Sequence, residues 1–368
     1  MNFILFFSVF ITLLISVHYL FYSRVVKKLL VSHQTQNILK ASLVLNLIFN
    51  ILYIIGRYSD IVNTPLYYLF SLSLGISFIL LMYLIVHEIL NLFHKSIKSI
   101  DISKREFIKK SGDTALLGVS TAYLSIGVYE GSKEPIINVV PFHKFDFSIV
   151  QISDLHIGGL IDREFVKHSV VKINSVKPDI VCITGDLIDT AIESIADIVL
   201  ELNKIEAKHG IYFILGNHEY FHNVEEIMEF VKTKTNMTLL LNENLQIDEL
   251  KLNIIGVTDM IGYRMEKLEP NIDKAFEGIN PNYKSLFLVH QPKFIEELGS
   301  YKPDLILSGH THGGQIWPFE YLTRLQQPFV KGLHQLENKK SYIYVNSGIG
   351  FWGPPMRINS QSEIAYII

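Results

Sequence analysis

The side chains able to do chemistry fall in five short clusters: Asp154-Leu155-His156, Gly185-Asp186-Leu187-Ile188-Asp189, Gly216-Asn217-His218-Glu219, His290, and Gly309-His310-Thr311-His312. Carboxylates, one amide and imidazoles are donors for hard to borderline divalent cations. No thiolate accompanies them, so Mn²⁺ above all, with Fe²⁺, Zn²⁺ or Mg²⁺ as alternatives, suits the set better than a soft metal. Asp154, His156, Asp186, Asn217, His290, His310 and His312 are more ligands than one ion needs. Two ions sharing a bridging carboxylate would use them all. Ions about 3.5–4 Å apart clamp a phosphoryl group and lower the pKa of a water between them. No Ser, Thr or Cys stands in a nucleophile setting. Singly, an Asp-x-His or a Gly-Asp is a common strand-end turn; five clusters in order are not an accident of composition.

The elements that must position these groups are short apolar runs rich in Ile and Val. They are residues 147–153, 179–184, 211–216, 252–257, 285–290, 304–309, 342–347 and 363–368. Several are near-continuous in apolar residues, as strands buried on both faces are. Amphipathic stretches at about 162–176, 192–208 and 223–234 alternate with the early ones, which predicts an α/β domain. Each cluster follows such a run, and open α/β sheets place their sites beyond the carboxyl ends of strands. On a straight strand His310 and His312 would point the same way about 6.6–6.8 Å apart, a spacing that suits two ions better than one. Gly309, Gly313 and Gly314 would let that loop turn tightly.

The chain has 368 residues, 49% hydrophobic and only 19% charged, which points to membrane segments. Its formal net charge of −3 gives no argument for nucleic acid. The lone Cys182 rules out a disulfide framework or a cysteine-based zinc site within one chain. The long apolar runs lie at residues 3–22, 38–56 and 66–93, with a weaker fourth at 114–129 rich in small residues. The expected organisation is a transmembrane region at 1–130, a linker at 131–146 and a catalytic domain at 147–368.

Lys and Arg crowd the first and third loops, while the second has only Arg57, which places the first and third in the cytoplasm. If the fourth run spans, the C-terminal domain faces the extracytoplasmic side of a multi-pass cell (inner) membrane. The third loop, "SKREFIKKSG" at 103–112, resembles a twin-arginine export signal with Lys104 in place of the first arginine; it also reads as a basic juxtamembrane loop. Asn46 and Asn50, one helical turn apart in the second run, read as interhelical hydrogen-bonding groups.

The series Asp-x-His, Gly-Asp-x-x-Asp, Gly-Asn-His-Glu, His, Gly-His-x-His resembles that of the calcineurin-like metallophosphoesterase superfamily, over about residues 145–368. "GHTHGGQ" and "GIGFWGPPMR" are similar to its membrane-linked bacterial subgroup, which includes enzymes similar to UDP-2,3-diacylglucosamine pyrophosphatases and export-signal-bearing phosphodiesterases. The resemblance implies a two-sheet α/β sandwich flanked by helices, here preceded by an all-α transmembrane region of about four helices. It implies Asp154, His156 and His312 on one metal, Asn217, His290 and His310 on a second, and Asp186 bridging them. His218 would protonate the leaving oxygen, and Asp189 would orient an imidazole. Arg357 would reach substrate phosphate or form a surface salt bridge.

The expected activity is hydrolysis of a phosphodiester or pyrophosphate bond by in-line attack of a hydroxide bridging the two metals. A lipid-linked phosphoester suits a domain tethered to a bilayer. The alternative is a metal-binding membrane sensor or scaffold without turnover.

Overall fold

The computed structural model describes residues 3–29, 31–57, 65–96, 102–337 and 340–368. They form two compact units. One comprises Met1–Tyr129 with Gly353–Met356, the other Glu130–Trp352 with Arg357–Ile368.

The first unit is built from helices α1 (Phe3–Arg24), α2 (His33–Arg57), α3 (Pro65–Ser96) and α4 (Ile102–Gly131). Ser8–Lys28, His33–Arg57 and Pro65–Phe93 are long and apolar enough to cross a membrane. The fourth run is helical as well but falls short of that standard: Lys109, Lys110 and Asp113 share its helix, and Thr114, Gly118, Ser120, Thr121, Ser125 and Gly127 dilute its apolar residues. The side chains of 101–110, and with them most of the basic loop, lie outside the described residues.

Between the helices, Asn46 Nδ2 and Asn50 Nδ2 donate to Ser77 Oγ of α3, at 2.9 and 2.7 Å. Asn46 Nδ2 also lies 3.0 Å from His18 Nε2 of α1. The two amides thus tie three helices together, as a buried amide in an apolar setting must find a partner. Ser71 Oγ donates to the Gly353 carbonyl at 2.5 Å. A Cβ on Gly75 would collide with Met356 Sδ, so Gly353–Met356 packs directly on α3.

The second unit carries two six-stranded sheets. Its strands are β1 (Ile136–Val140), β2 (Ile149–Ile152), β3 (Ile180–Thr184), β4 (Ile211–Ile214), β5 (Met237–Leu239), β6 (Glu243–Ile247), β7 (Leu252–Gly256), β8 (Lys284–Leu288), β9 (Leu305–Ser308), β10 (Gly332–Gln335), β11 (Tyr342–Val345) and β12 (Glu363–Ile367). The orders are β1-β12-β2-β3-β4-β5 and β10-β11-β9-β8-β7-β6. β2, β3 and β4 run parallel, as do β7, β8, β9 and β11.

Ile149, Ile180, Ile214, Leu252, Ile254, Leu286 and Leu305 fill the space between the sheets. Helices α5 (Arg163–Ser175), α6 (Ile192–Val199) and the later Val224–Lys234 cover the outer face of the first sheet with Val166, Ile173, Ile195 and Val231 against Ile152, Ile183 and Phe213. Burial on both faces is why these strands read as unbroken apolar runs. Within 131–146, which composition alone marks as a linker, Ile136–Val140 form β1, an edge strand pairing in parallel with β12. Its partner lies more than two hundred residues away in sequence, which a local reading does not reach.

Candidate metal centre

Every cluster lies just past a parallel strand. Asp154 and His156 follow β2, Asp186 and Asp189 follow β3, and Asn217 opens a short helix (Asn217–Phe221) after β4. His290 follows β8, and His310 and His312 follow β9. The first three strands are neighbours in one sheet and the last two are neighbours in the other. Beneath the site, Gln151 Nε2 donates to Thr184 Oγ1 and to the Ser308 carbonyl, both at 2.9 Å, binding the two sheets together.

The sheets bring the ligand atoms into two groups, Asp154/His156/His312 and Asp186/His290/His310, the atoms of each within 4.8 Å of one another. His156 Nε2 and His312 Nε2 face each other at 3.0 Å. Asp186 Oδ2 is central: it lies 3.2 Å from His290 Nε2 and 3.8 Å from both His156 Nε2 and His218 Nε2. Asn217 Oδ1 lies 3.2 Å from His290 Nε2. A third group, His156/Asp189/His218, is equally tight. Its shortest distance, 2.6 Å between His218 Nδ1 and Asp189 Oδ1, is a direct hydrogen bond that leaves no room for a cation between those atoms.

The backbone at these positions is strained. Asp154, His156, Asp186, His310 and His312 all have positive φ, between 48° and 69°. Such a residue costs about 1–3 kcal/mol in the left-handed region and persists only where its surroundings over-determine it. His310 and His312 therefore do not lie on a straight strand: β9 ends at Ser308, and the chain enters a tight turn over His312–Gly314. A Cβ on Gly309 would overlap Ser153 Oγ and Asp154 Oδ2, so only glycine lets this loop approach the first cluster.

Burial sets the charges. Desolvation raises the Asp154 carboxyl to about 6, against the pull of the His290 charge. Burial also opposes ionisation of Asp186, but His290, His218 and His156 together hold it well below the usual carboxylate range. His290 goes the other way: burial disfavours its charge, yet Asp186, Asp154 and Asp259 outweigh burial and raise it well above 6.5. Desolvation and the His290 charge lower His310 to about 3, and burial with His156 and Arg357 lowers His312 well below 6.5. Both imidazoles are thus neutral, the form that ligates a metal. Clustered carboxylates whose charge already draws a proton onto His290, the neutral imidazoles of His310 and His312, and a donor set of oxygen and nitrogen fit divalent cations.

Sequence reading gave no role to Glu219. It is fully buried and accepts from the backbone N–H of Asp186 (3.1 Å), Leu187 (2.7 Å), Ile188 (2.9 Å) and Gly216 (2.7 Å). Its carboxylate fixes the loop that carries Asp186. An acid three residues into a helix that opens after a strand is the visible signal. Asp259, buried and bonded to Gln291 Nε2 at 2.9 Å beside His290, had no such signal.

Arg357 is fully buried, which rules out the surface salt bridge. Its guanidinium donates to the carbonyls of Ser347 (2.9 Å), Gly348 (3.0 Å) and Gly350 (2.6 Å). That loop in turn supports the first cluster: Ile349 N–H donates to the Ser153 carbonyl and Gly350 N–H to that of Asp154, at 2.9 and 3.0 Å.

Residues 147–314 match the calcineurin-like phosphoesterase family. The chain is 38% identical over 311 residues to an uncharacterized metallophosphoesterase of Helicobacter pylori, covering 82% of each chain. It is 36% identical to an uncharacterized metallophosphoesterase of Campylobacter jejuni, covering 82% of this chain and 78% of that one. It is 31% identical to a transmembrane protein with metallophosphoesterase domain from Danio rerio, covering 84% and 75%. The chain belongs to the calcineurin-like metallophosphoesterase family, and is a metal-dependent phosphoric ester hydrolase with three N-terminal helices apolar enough to cross a membrane.

Proposed function

We propose that this protein is a membrane-anchored dinuclear phosphoesterase that hydrolyses a phosphodiester or pyrophosphate bond, with a lipid-linked phosphoester as its substrate class. The observation that carries the dinuclear reading is the place of Asp186, whose Oδ2 lies between the imidazoles of both ligand groups. In this reading Asp154, His156 and His312 hold one cation, Asn217, His290 and His310 hold the other, and Asp186 touches both. Mn²⁺ is the first choice for each. Bound there, two divalent cations supply the charge that lowers the pKa of an attacking water and neutralises phosphoryl oxygens.

The rest falls to the chain. Asp189 Oδ1 accepts from His218 Nδ1 at 2.6 Å, which leaves Nε2 as the atom that carries a proton toward the leaving oxygen. Arg357 acts from behind the Ser347–Gly350 loop, holding the Asp154 side of the site in place rather than touching substrate. With the basic first and third loops in the cytoplasm, the catalytic domain of this multi-pass inner-membrane protein is extracytoplasmic only if α4 also spans, and a C-terminal reporter fusion tests it.

Full-length protein loaded with Mn²⁺ should cleave at least one of a chromogenic phosphodiester, a nucleotide pyrophosphate and a lipid pyrophosphate. No turnover on any of them would favour a metal-binding sensor or scaffold. Metal analysis of His310→Ala and His312→Ala tests the division of ligands: each should deplete a different site, and equal loss of both ions in each variant would overturn it.

A further inference from the structure

Immediately after the metal-binding loop, the chain "WPFEYLTRL" turns apolar side chains outward. Trp317 is 45% exposed, Phe319 42%, Tyr321 58%, Leu322 55% and Leu325 80%, with Trp352 at 50%. Trp352 belongs to the same surface: its N–H donates to Gln315 Oε1 at 3.0 Å, and Gln315 Nε2 donates to its carbonyl at 3.1 Å. The Trp317 N–H is anchored on the Ile358 carbonyl at 3.1 Å. Large aromatic and aliphatic groups massed in one exposed turn mark an interaction surface on a water-soluble domain.

We propose that this turn, with Trp352 beside it, inserts into the interfacial layer of a lipid bilayer and docks the catalytic domain there. Three observations favour a bilayer over another protein. The backbone of the turn is closed on itself: Tyr321 N–H donates to the Pro318 carbonyl, Leu322 to Phe319, Arg324 to Glu320 and Leu325 to Leu322, at 2.9–3.1 Å. Closed backbone is what a segment entering a low-dielectric layer requires. The composition, Trp and Tyr with Leu and an exposed Arg324, is that of residues that sit at the headgroup level. Finally, the same chain carries three helices long and apolar enough to cross a membrane, so this domain is covalently tethered to a bilayer. Docking stands whether or not the substrate is lipid-borne. It would bring the loop of His310 and His312 to the lipid surface.

The chain has only two tryptophans, Trp317 and Trp352, so tryptophan emission, excited selectively over its 18 tyrosines, reports on this surface alone. Full-length protein is reconstituted in phosphatidylethanolamine/phosphatidylglycerol vesicles, with and without bromine on the acyl chains, and titrated with aqueous iodide. The wild type, Trp317→Phe and Trp352→Phe should each lose emission roughly two-fold or more to brominated lipid and resist iodide, as aromatic groups at headgroup depth do. Leu322→Asp/Leu325→Asp should restore iodide quenching of Trp317 while metal content stays unchanged. If that variant does not fold, the wild-type quenching decides alone. Strong iodide quenching without lipid quenching would overturn the proposal. Protection from both quenchers that disappears on dilution would overturn it too, by showing a second copy as the occupant.

Discussion

In the helical unit the buried cluster around Asn46 is built mainly of amides and hydroxyls bonded to one another: Asn46, Asn50 and Ser77 share hydrogen bonds across two helices. In the α/β unit they are ionisable and crowded: Asp154, Asp186, His156, His290 and His312 lie buried within a few ångströms of each other. Amides and hydroxyls can satisfy one another in an apolar setting without any added charge. Clustered carboxylates repel one another and lose solvation when buried, so the second region favours added positive charge. The first arrangement joins helices, and the second offers ligands to cations.

Changing the central carboxylate should break this contrast most severely. Asp186→Asn removes the charge that both ligand groups share, and kcat should fall by about 10³-fold or more, with loss of bound metal measured alongside. An enzyme with full metal and activity would refute the bridging role. His218→Gln should lower kcat by about 10²–10⁴-fold with metal content unchanged, as for loss of a proton donor. The decline should be smaller for substrates with better leaving groups; a uniform decline would mean His218 acts otherwise.

Chelation separates the regions by stability. Cations held at 100 times their Kd stabilise the folded state by about 2.7 kcal/mol, so EDTA should lower the Tm of the α/β unit and spare the helices. No shift would show that the cluster needs no cation. Gly309→Ala should cost about 1–3 kcal/mol through overpacking against Ser153 and Asp154, and should weaken metal binding. Unchanged metal affinity would mean the loop has slack. Smallest of all, Asn50→Leu should alter stability by about 1 kcal/mol or less and leave turnover untouched. A large loss of activity would tie the helical polar groups to catalysis.

Much of this was legible without coordinates. Hydrophobic runs of six or seven residues that end at or just before Asp, Asn or His located the β2, β3, β4, β8 and β9 strand ends, because burial on both faces leaves a mark on every residue of a strand. The short strands β1, β5, β6 and β10 escaped that reading, since half-exposed edge segments carry a weaker pattern. The helical character of 114–129 was legible too, but its small and hydroxylated residues leave it less apolar than the three helices before it.

The sequence by itself determined the donor set and its order along the chain, because ligand chemistry belongs to side-chain type. Tertiary structure alone decided how the donors meet. It turned His310 and His312 out of the strand into left-handed backbone, which no local propensity favours. It paired β1 with β12 across most of the domain. It buried Arg357 on the carbonyls of a loop that follows β11, where the sequence left substrate phosphate and a surface salt bridge both open. Each of these rests on contacts between distant segments, whose free energy exists only once the chain has closed upon itself.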